Sequence, residues 1–234
     1  MDNETDHRAV WLITGAAGAL GSALVRRLSE TAECIALDRD EPGLNALHDE
    51  LCRNGQSPPA LMPLDLARAG PDDHARLAES IDEAFGRVDV LVHNAASFRA
   101  LRPLLNQPPG EWMDSLQTGL TGPFLLTAAL LPLMARASAP VIVFVNHHHC
   151  MEHPGNWGAY GIAQAGRRHM QRVLSEEAGR RGPRVIEVDP GAFFSRLYTS
   201  AWPATSPRDI ASAADAAERV LDAILKQLGS AERA

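Results

Sequence analysis

Cysteine is scarce in this chain of 234 residues: only Cys34, Cys52 and Cys150 occur, and they lie far apart. A disulfide framework needs an even set of cysteines, and a cysteine metal site needs close pairs such as Cys-x-x-Cys, so neither is indicated. The chain also lacks internal repeats, low-complexity tracts and a Gly/Ser-rich linker. We therefore expect a single domain in a reducing, cytoplasmic compartment.

Positive charge is also in short supply. The chain has 22 Lys and Arg against 29 Asp and Glu, a formal net charge of −7 at pH 7. Nucleic acids and anionic membranes select basic surfaces, so this balance argues against both as partners and favours a small-molecule substrate. The acidic first residues do not resemble an export signal. The uncharged run 115–135 contains glycines and prolines, which indicates a buried or interface helix rather than a membrane span.

Apolar segments of strand length alternate with amphipathic segments of helix length along most of the chain. Strands are predicted at 9–14, 33–38, 59–64, 88–94, 140–146 and 184–189. Helices are predicted at 19–31, 43–53, 72–85, 111–136, 157–180 and 207–228. Near-continuous Val, Ile and Leu in several strands is typical of a parallel sheet covered on both faces. We predict one α/β domain over 1–234, a doubly wound, Rossmann-type parallel sheet of six or seven strands with helices on both faces and a flexible tail at 1–8.

The first predicted strand runs directly into a glycine-rich turn that opens the first helix. Its glycines, Gly15, Gly18 and Gly21, permit a tight turn and close approach to a diphosphate, while the helix N-terminus supplies free N–H groups. Asp38 follows Gly21 by seventeen residues and ends the second strand. A carboxylate there accepts hydrogen bonds from ribose hydroxyls and repels a 2′-phosphate, which favours NAD, although the neighbouring Arg39 keeps NADP possible. Asp38 as a simple turn residue is the alternative.

Further motifs carry a family resemblance that extends from about residue 9 to residue 195. Asp65-Leu66 follows the third strand, Asn94-Ala95 ends the fourth, Tyr160 opens a helix and Pro190-Gly191 follows the sixth. With the glycine turn, this pattern resembles the short-chain dehydrogenase/reductase family. The resemblance implies a dinucleotide across the strand ends and hydride transfer at a carbinol or carbonyl.

The resemblance also implies a role for individual residues. Asp65 would touch the adenine, the Asn94-Ala95 backbone would border the adenine ribose, Pro190-Gly191 would flank the nicotinamide, and Ser195 would contact its amide. The full set of cofactor-binding residues predicted on this basis is Thr14, Gly15, Gly18, Leu20, Gly21, Asp38, Asp65, Leu66, Asn94, Ala95, Tyr160, Gln164, Pro190, Gly191 and Ser195.

The catalytic positions depart from the family pattern. The family's Tyr-x-x-x-Lys becomes Tyr160 with Gln164, the family's Ser becomes His147, and the family's Asn aligns with Gly119. The sequence contains a single lysine, Lys226, in the last predicted helix, so no lysine nearby replaces the missing one. Tyr160 is thus the one intact member of the family's catalytic tetrad.

We predict Tyr160, His147 and Gln164 as the catalytic residues of an NAD(P)-dependent oxidoreductase acting on a small carbonyl compound. Tyr160 would donate the proton, and His147 would orient the carbonyl or, as imidazolium, lower the pKa of Tyr160. Loss of a lysine should impair alcohol oxidation more than carbonyl reduction, because oxidation needs a base. Three alternatives remain open: His147 merely ends a strand, the protein binds dinucleotide without catalysis, or it is a lyase or epimerase that uses His147 as base.

Two clusters of charged or polar residues receive structural interpretations. The histidine-rich segment 147–153 is predicted to be a polar loop bordering the pocket, and no metal is predicted, because no helix aligns its histidines. Arg167 and Arg168 are expected on a solvated face or in an interface ion-pair network, although either could reach the place of the missing lysine. The apolar segment 125–133 is expected to belong to the helix core; the family resemblance implies that it and the Tyr160 helix form the surface of a homodimer or homotetramer.

Overall fold

Six parallel strands form the centre of the protein, seen here in a computed structural model that describes residues 8–179 and 182–231. The strands are β1 (Ala9–Thr14), β2 (Ala32–Asp38), β3 (Ala60–Pro63), β4 (Val90–His93), β5 (Val141–Val145) and β6 (Arg184–Val188). Their order across the sheet is β3-β2-β1-β4-β5-β6, which is the Rossmann arrangement. The predicted doubly wound fold is confirmed. The predicted flexible tail lies, apart from Arg8, outside the described residues.

Helices connect the strands and cover both faces of the sheet. They are α1 (Ala19–Leu28), α2 (Glu41–Arg53), α3 (Pro71–Phe85), α4 (Pro109–Leu116), α5 (Gly122–Met134), α6 (His149–Glu152), α7 (Gly158–Ala178), α8 (Arg196–Ala201) and α9 (Ala213–Ala231). A π-helical segment, Gln117–Thr121, joins α4 to α5, and a 3-10 turn covers Leu104–Asn106.

The sheet has an apolar core on each face. Helices α1, α2 and α9 pack on one face, where Ile13 of β1 is fully buried. Helices α3, α5 and α7 pack on the other, against Leu12 of β1 and Leu91 of β4. Leu12 and Ile13 are adjacent, so they point to opposite faces, and burial of both requires helices on each side.

Two helices differ clearly from their predicted ranges: one starts later than predicted, and the other is interrupted. The predicted helix 207–228 starts later, because Ser212 caps α9: its Oγ accepts from the Asp215 amide (3.2 Å), and Asp215 Oδ2 accepts from the Ser212 amide (2.9 Å). The predicted helix 111–136 is interrupted by the π-helical segment, where a wider turn inserts an extra residue. Helices α6 and α8 were not predicted, since each is too short to show a periodic pattern.

The continuous helical stretch Pro109–Met134 is the one helix among the described residues that is long and apolar enough to pass a length-and-composition test for a membrane span. Within it, Leu126, Leu130 and Met134 are fully buried beneath the sheet face. Burial of these side chains is typical of a core helix. The sequence pattern predicted a buried or interface helix here.

The two-sided core yields a stability prediction. Leu91 is fully buried in β4, so Leu91→Ala should lower the free energy of unfolding by about 2–5 kcal/mol. Leu105 is 96% exposed, so the chemically identical change Leu105→Ala should alter it by no more than about 0.5 kcal/mol. Urea unfolding followed by circular dichroism measures both, and equal effects at the two positions would contradict this packing.

Candidate active site

The carboxyl ends of β1 and β4 are tied together by one side chain, the hydroxyl of Thr14. This hydroxyl donates to the Val92 carbonyl (3.2 Å) and accepts from the backbone amides of Asn94 and Ala95 (both 3.0 Å). The Asn94 side-chain amide donates in turn to the carbonyls of Thr14 (2.9 Å) and Gly15 (3.3 Å). The chain reverses its direction across the sheet between these strands, and open α/β sheets bind ligands at such a switch point. These bonds therefore form the floor of a ligand crevice.

The turn between β1 and α1 leaves no room for a side chain at its glycine positions. Gly15 has a φ of +69°, and a Cβ there would lie 3.0 Å from the Ala95 Cα. A Cβ at Gly21 would lie 2.1 Å from the Gly15 carbonyl oxygen, because α1 packs directly on the turn. Gly18 is the N-cap of α1 and supplies no capping side chain, so the first amides of the helix are available to an anion. The turn is thus shaped to cradle a phosphate group.

Asp38, at the end of β2, braces this turn. Its carboxylate accepts from the backbone amides of Ala17 and Asp40 (both 3.0 Å), one on each oxygen. Asp38 lies in the wall of a large cleft of about 470 Å³ over the strand ends. The predicted site residues that line this large cleft are Gly15, Gly18, Leu20, Asp38, Asp65, Leu66, Asn94, Ala95 and Ser195. Thr14 and Gly21 are buried and do not line it.

A small cavity of about 100 Å³ adjoins the large cleft on the side of α7. Leu20, Asn94 and Ser195 line both spaces, so the two form one trough. The predicted site residues that line the small cavity alone are His147, Tyr160, Gln164, Pro190 and Gly191. The structure thus brings all the predicted site residues to one edge of the sheet.

The loop after β6 is held in place beside the small cavity by backbone contacts. Arg219 of α9 donates from Nε to the Pro190 carbonyl (3.0 Å), and the Gly191 amide donates to Asp189 Oδ1 (2.7 Å). Ser195 caps α8, where its Oγ accepts from the Tyr198 amide (3.2 Å). These bonds fix the wall that faces Tyr160 across the cavity.

Tyr160 lies in the first turn of α7 and is 5% exposed. Its ring packs against those of Phe98 and Trp157, with centroids 5.2 and 5.7 Å away. Its hydroxyl lies 3.2 Å from Nδ1 of His147. Burial raises the pKa of Tyr160 well above its usual range, more strongly than the positive charge of Arg167 lowers it. The phenol is therefore protonated at neutral pH and able to donate a proton.

His147 follows β5 and is tied to α7 at two points. Its backbone amide donates to Gln164 Oε1 (3.0 Å), and its ring meets the Tyr160 hydroxyl. Burial is the main cause that lowers the pKa of His147 below its ordinary 6.5, with His149 and His148 adding to the effect and Asp189 opposing it. His147 is therefore neutral at pH 7, so the expectation that its imidazolium form acts on Tyr160 is wrong for the resting site.

Gln164, which the sequence pattern assigns to the lysine position, lies one turn after Tyr160 in α7. Its Oε1 accepts from the His147 amide and from Arg167 Nη2 (3.1 Å), which fixes the orientation of the side-chain amide. No described residue accepts a hydrogen bond from its Nε2, and Gln164 lines the small cavity. The side chain thus offers its Nε2 amino group, with two N–H donors, at the wall of the cavity.

Arg167 is a site residue that the sequence interpretation placed wrongly. It is 1% exposed rather than solvated, and it lines the small cavity together with Tyr160 and Gln164. Nε donates to Asn146 Oδ1 (2.9 Å), Nη1 to the Ala95 carbonyl (3.4 Å) and Nη2 to the Val145 carbonyl. A signal was present in the sequence: residues 160, 164 and 167 share one face of a helix. Arg168, by contrast, is exposed and pairs with Glu187 (3.2 Å), as expected.

Gly119, which the sequence pattern assigns to the Asn position, lies in the π-helical segment. A Cβ at Gly119 would lie 3.0 Å from the Ala163 Cβ of α7, which is tighter than an ordinary contact. A larger residue would therefore push α7 away from this segment. The close contact of the two helices explains why glycine is suited to this position.

The histidine-rich segment 147–153 differs from the predicted polar loop. Residues 149–152 form α6, and the His149 ring packs between those of His153 and Trp202, with centroids 4.9 and 5.8 Å away. His148 instead points away from these rings, with Nε2 2.9 Å from Glu187 Oε1. Within residues 8–179 and 182–231, no group of three or more His, Cys, Asp or Glu side chains is placed to hold a metal ion.

Comparisons with known proteins point to one family. A family model described as short chain dehydrogenase matches residues 9–205. The oxidoreductase YciK of Escherichia coli is 30% identical over 205 residues, which cover 87% of this chain and 81% of YciK. The 3-oxoacyl-[acyl-carrier-protein] reductase FabG of Vibrio cholerae is 32% identical over 185 residues, 78% of this chain and 72% of FabG.

Solved structures show the same likeness. A short chain dehydrogenase from Shigella flexneri, complexed with NADP, aligns with a TM-score of 0.83 and 28% identity over 93% of each chain. A short chain dehydrogenase from Escherichia coli CFT073, complexed with NADPH, aligns with a TM-score of 0.80 and 30% identity. The second alignment covers 88% of this chain and 86% of that one.

The packing of α1 on the glycine turn predicts the effect of one methyl group. Gly21→Ala places a Cβ against the Gly15 carbonyl and must displace the turn, so binding of NADH and NADPH should weaken at least about tenfold, or about 1.4 kcal/mol. Gly110→Ala is the matched control, since a Cβ there meets nothing within 4 Å. Fluorescence titration of the reduced nucleotides measures both, and wild-type affinity in Gly21→Ala would show that they bind elsewhere.

Proposed function

This chain belongs to the short-chain dehydrogenase family, and from that premise we propose that it uses NAD(P)H to reduce a small ketone or aldehyde. One observation carries the proposal: the protonated Tyr160 hydroxyl, in contact with His147, lies at a small cavity that opens into a cleft shaped for a dinucleotide. The related proteins named above are oxidoreductases, and two of the similar structures hold NADP or NADPH.

The residues present fit a nicotinamide dinucleotide. The glycine turn would hold the diphosphate, because a Cβ at Gly15 or Gly21 would fill the cradle. Asp65 and the Asn94-Ala95 segment line the part of the large cleft that suits an adenosine, and the free N–H of Gln164 suits a ribose hydroxyl. The reduced nicotinamide, when bound, supplies the hydride for the substrate carbon.

The proton comes from Tyr160 in this proposal. Carbonyl reduction leaves an alkoxide that needs one proton, and a buried, protonated phenol at the cavity wall is suited to give it. His147 is neutral and can carry its proton on Nδ1, from where it donates to the Tyr160 oxygen (3.2 Å). A phenolate that forms at Tyr160 is then stabilised by that hydrogen bond. His147 is thus proposed as the partner of the proton donor.

Reduction is proposed as the favoured direction near neutral pH. Alcohol oxidation needs Tyr160 as a phenolate, and burial raises the pKa of Tyr160 away from neutrality. Gln164 brings no charge to lower it. Binding without turnover remains the second candidate function, favoured by the changes at His147, Gln164 and Gly119.

Assembly and location are further parts of the proposal. Exposed apolar side chains on α4, α5 and α7 support a homodimer or homotetramer that uses these helices; they are Met113, Phe124, Leu131, Ile162 and Val173. The acidic charge balance supports a small-molecule substrate without nucleic acid or membrane as partner, and the cysteine content supports a cytoplasmic location.

The proton-donor assignment predicts a specific pattern of activity loss. Tyr160→Phe removes the donor and should lower kcat for an activated aldehyde such as 4-nitrobenzaldehyde by about 10²–10⁴-fold, with unchanged NADH and NADPH affinity. His147→Ala should lower kcat by about tenfold, whereas His153→Ala, at an exposed position of the same segment, should not. Absorbance at 340 nm follows the reaction.

The same assignment fixes the pH profile. The pKa of His147 is lowered from the ordinary histidine value of about 6.5, and that of Tyr160 is raised from the ordinary tyrosine value of about 10. Both side chains therefore stay neutral between about pH 6.5 and 10. Reductive kcat should therefore be constant from about pH 7 to 9. The proposed reduction would be contradicted if Tyr160→Phe had the same kcat as the wild-type protein. It would also be contradicted if the wild-type protein bound nucleotide but turned over no carbonyl substrate.

Asp38 predicts a preference for NADH over NADPH. Its carboxylate lies in the wall of the large cleft and would repel a 2′-phosphate, while Arg39 beside it would attract one. Asp38→Asn keeps an acceptor for the Ala17 amide and removes the charge, so the affinity ratio of NADPH to NADH should rise about tenfold. Asp49→Asn on exposed α2 surface is the control, and an unchanged ratio in Asp38→Asn would exclude Asp38 as the selective residue.

A further inference from the structure

We propose that Arg167 supplies the buried positive charge that stabilises a phenolate on Tyr160, in the place of a charge that Gln164 cannot provide. Arg167 lines the small cavity together with Tyr160, but its hydrogen bonds go to Asn146, Ala95, Val145 and Gln164 and none reaches the phenol. It acts on Tyr160 through its charge, so it is a positioning residue. Only the effect of Arg167 on turnover rests on the proposed function. The electrostatic effect of Arg167 on the ionisation of Tyr160 is measured in an experiment that needs no turnover.

The guanidinium is held in one place by neutral acceptors. It donates to the amide oxygens of Asn146 and Gln164 and to the backbone carbonyls of Ala95 and Val145. Four hydrogen bonds on a side chain that is 1% exposed leave it little freedom to move. The planar, fixed set of donors of an arginine suits such a site better than the flexible ammonium of a lysine.

The charge of Arg167 is not cancelled by a direct partner. Among the described residues no carboxylate forms an ion pair with it, whereas its neighbour Arg168 pairs with Glu187 at the surface. Burial lowers the pKa of Arg167 to about 10, so the side chain stays protonated at neutral pH. A buried cation surrounded by neutral groups acts over a longer range than one at the surface, because little water screens it.

A short hydrogen-bonded path links this cation to the proton donor. Gln164 Oε1 accepts from Arg167 Nη2 and from the His147 amide, and the His147 ring meets the Tyr160 hydroxyl. Residues 160, 164 and 167 also share one face of α7. The positive charge of Arg167 lowers the pKa of Tyr160 against the effect of burial. The chain's single lysine, Lys226, is exposed on α9 and does not line the small cavity.

Other titratable groups face these two side chains and must be kept constant in a test. His147, Cys150 and Asp189 face Tyr160, and Cys150 and Glu187 face Arg167. Of these, Asp189 opposes formation of a phenolate, and Glu187 favours the charged form of Arg167. Burial raises the pKa of the Cys150 thiol to about 12, so the thiol is neutral. Arg167 is therefore the positive charge among the groups that face Tyr160 at neutral pH.

The experiment measures ionisation at position 160 directly. A polyfluorinated tyrosine, whose phenol ionises near neutral pH in water, is placed at position 160 of the full chain by codon suppression and titrated by ¹⁹F NMR. The titration is repeated with Arg167→Met, which removes the charge, with Arg167→Gln, which removes the charge but keeps an amide donor, and with Arg167→Lys. Arg168→Met is the matched surface control. Thermal unfolding followed by circular dichroism establishes which variants are folded.

We expect the ¹⁹F titration midpoint at position 160 to be higher in the two variants that lack a charge at position 167. Arg167→Met and Arg167→Gln should raise the midpoint at position 160 by about one pH unit, a tenfold fall in the ionisation constant that corresponds to about 1.4 kcal/mol. Arg167→Lys and Arg168→Met should keep it within about 0.3 unit of wild type. The double variant Gln164→Lys with Arg167→Met should restore it, because a cation returns to the same helix face.

A wild-type midpoint in either folded neutral variant would overturn the inference, as would an equal shift in Arg168→Met. If Arg167→Met and Arg167→Gln both fail to fold, the test uses Arg167→Lys and the double variant. A titration midpoint at position 160 that is a full pH unit above wild type in both of these would also overturn the inference. Failure of the proposed function looks different. Wild-type protein would then reduce no carbonyl probe, while the ¹⁹F midpoint would still depend on the charge at position 167.

Discussion

The hydroxyl of Thr14 is the contact on which the rest of the site depends. It uses its one donor and two acceptors to join β1 to the segment after β4, at the place where the chain reverses its direction across the sheet. With these ends joined, Asn94 can hold the carbonyls of the glycine turn, and α1 can pack on that turn through Gly21. The cleft for a dinucleotide is therefore a consequence of how two neighbouring strand ends are held together.

The chemistry beside this cleft depends on burial. Tyr160 is buried and His147 is half-buried, and burial favours the neutral form of each, which raises the pKa of Tyr160 and lowers that of His147. A neutral phenol next to a neutral imidazole is a proton-donating arrangement, and it suits reduction better than oxidation. Formation of an anion in such a place needs a positive charge nearby, and the buried Arg167 lines the same small cavity and donates to Gln164.

Much of the fold and part of the site could be predicted from the sequence, for identifiable reasons. The short, β-branched apolar run of β5, Val141–Val145, is typical of a strand buried on both faces, and the glycine turn lies between a predicted strand and a predicted helix, where its spacing is informative. The start of α9 was missed because Pro207 is a familiar helix-start residue, whereas the capping pair Ser212 and Asp215 sets the boundary. The burial of Arg167 was missed because an arginine on a helix is usually solvated. The shared helix face of residues 160, 164 and 167 was a signal, but tertiary packing decides that β5 and the Ala95 segment cover this turn of α7.

The most direct test of the account is a crystal structure of the protein with NADH or NADPH. The account predicts that the diphosphate lies over the glycine turn between Gly15 and Gly21 and that the nicotinamide enters the small cavity between Tyr160 and Gly191. A nucleotide bound elsewhere on the chain, or a small cavity that stays closed to the nicotinamide while the diphosphate is bound, would contradict the assignment of Tyr160 as proton donor in a nicotinamide-dependent reduction.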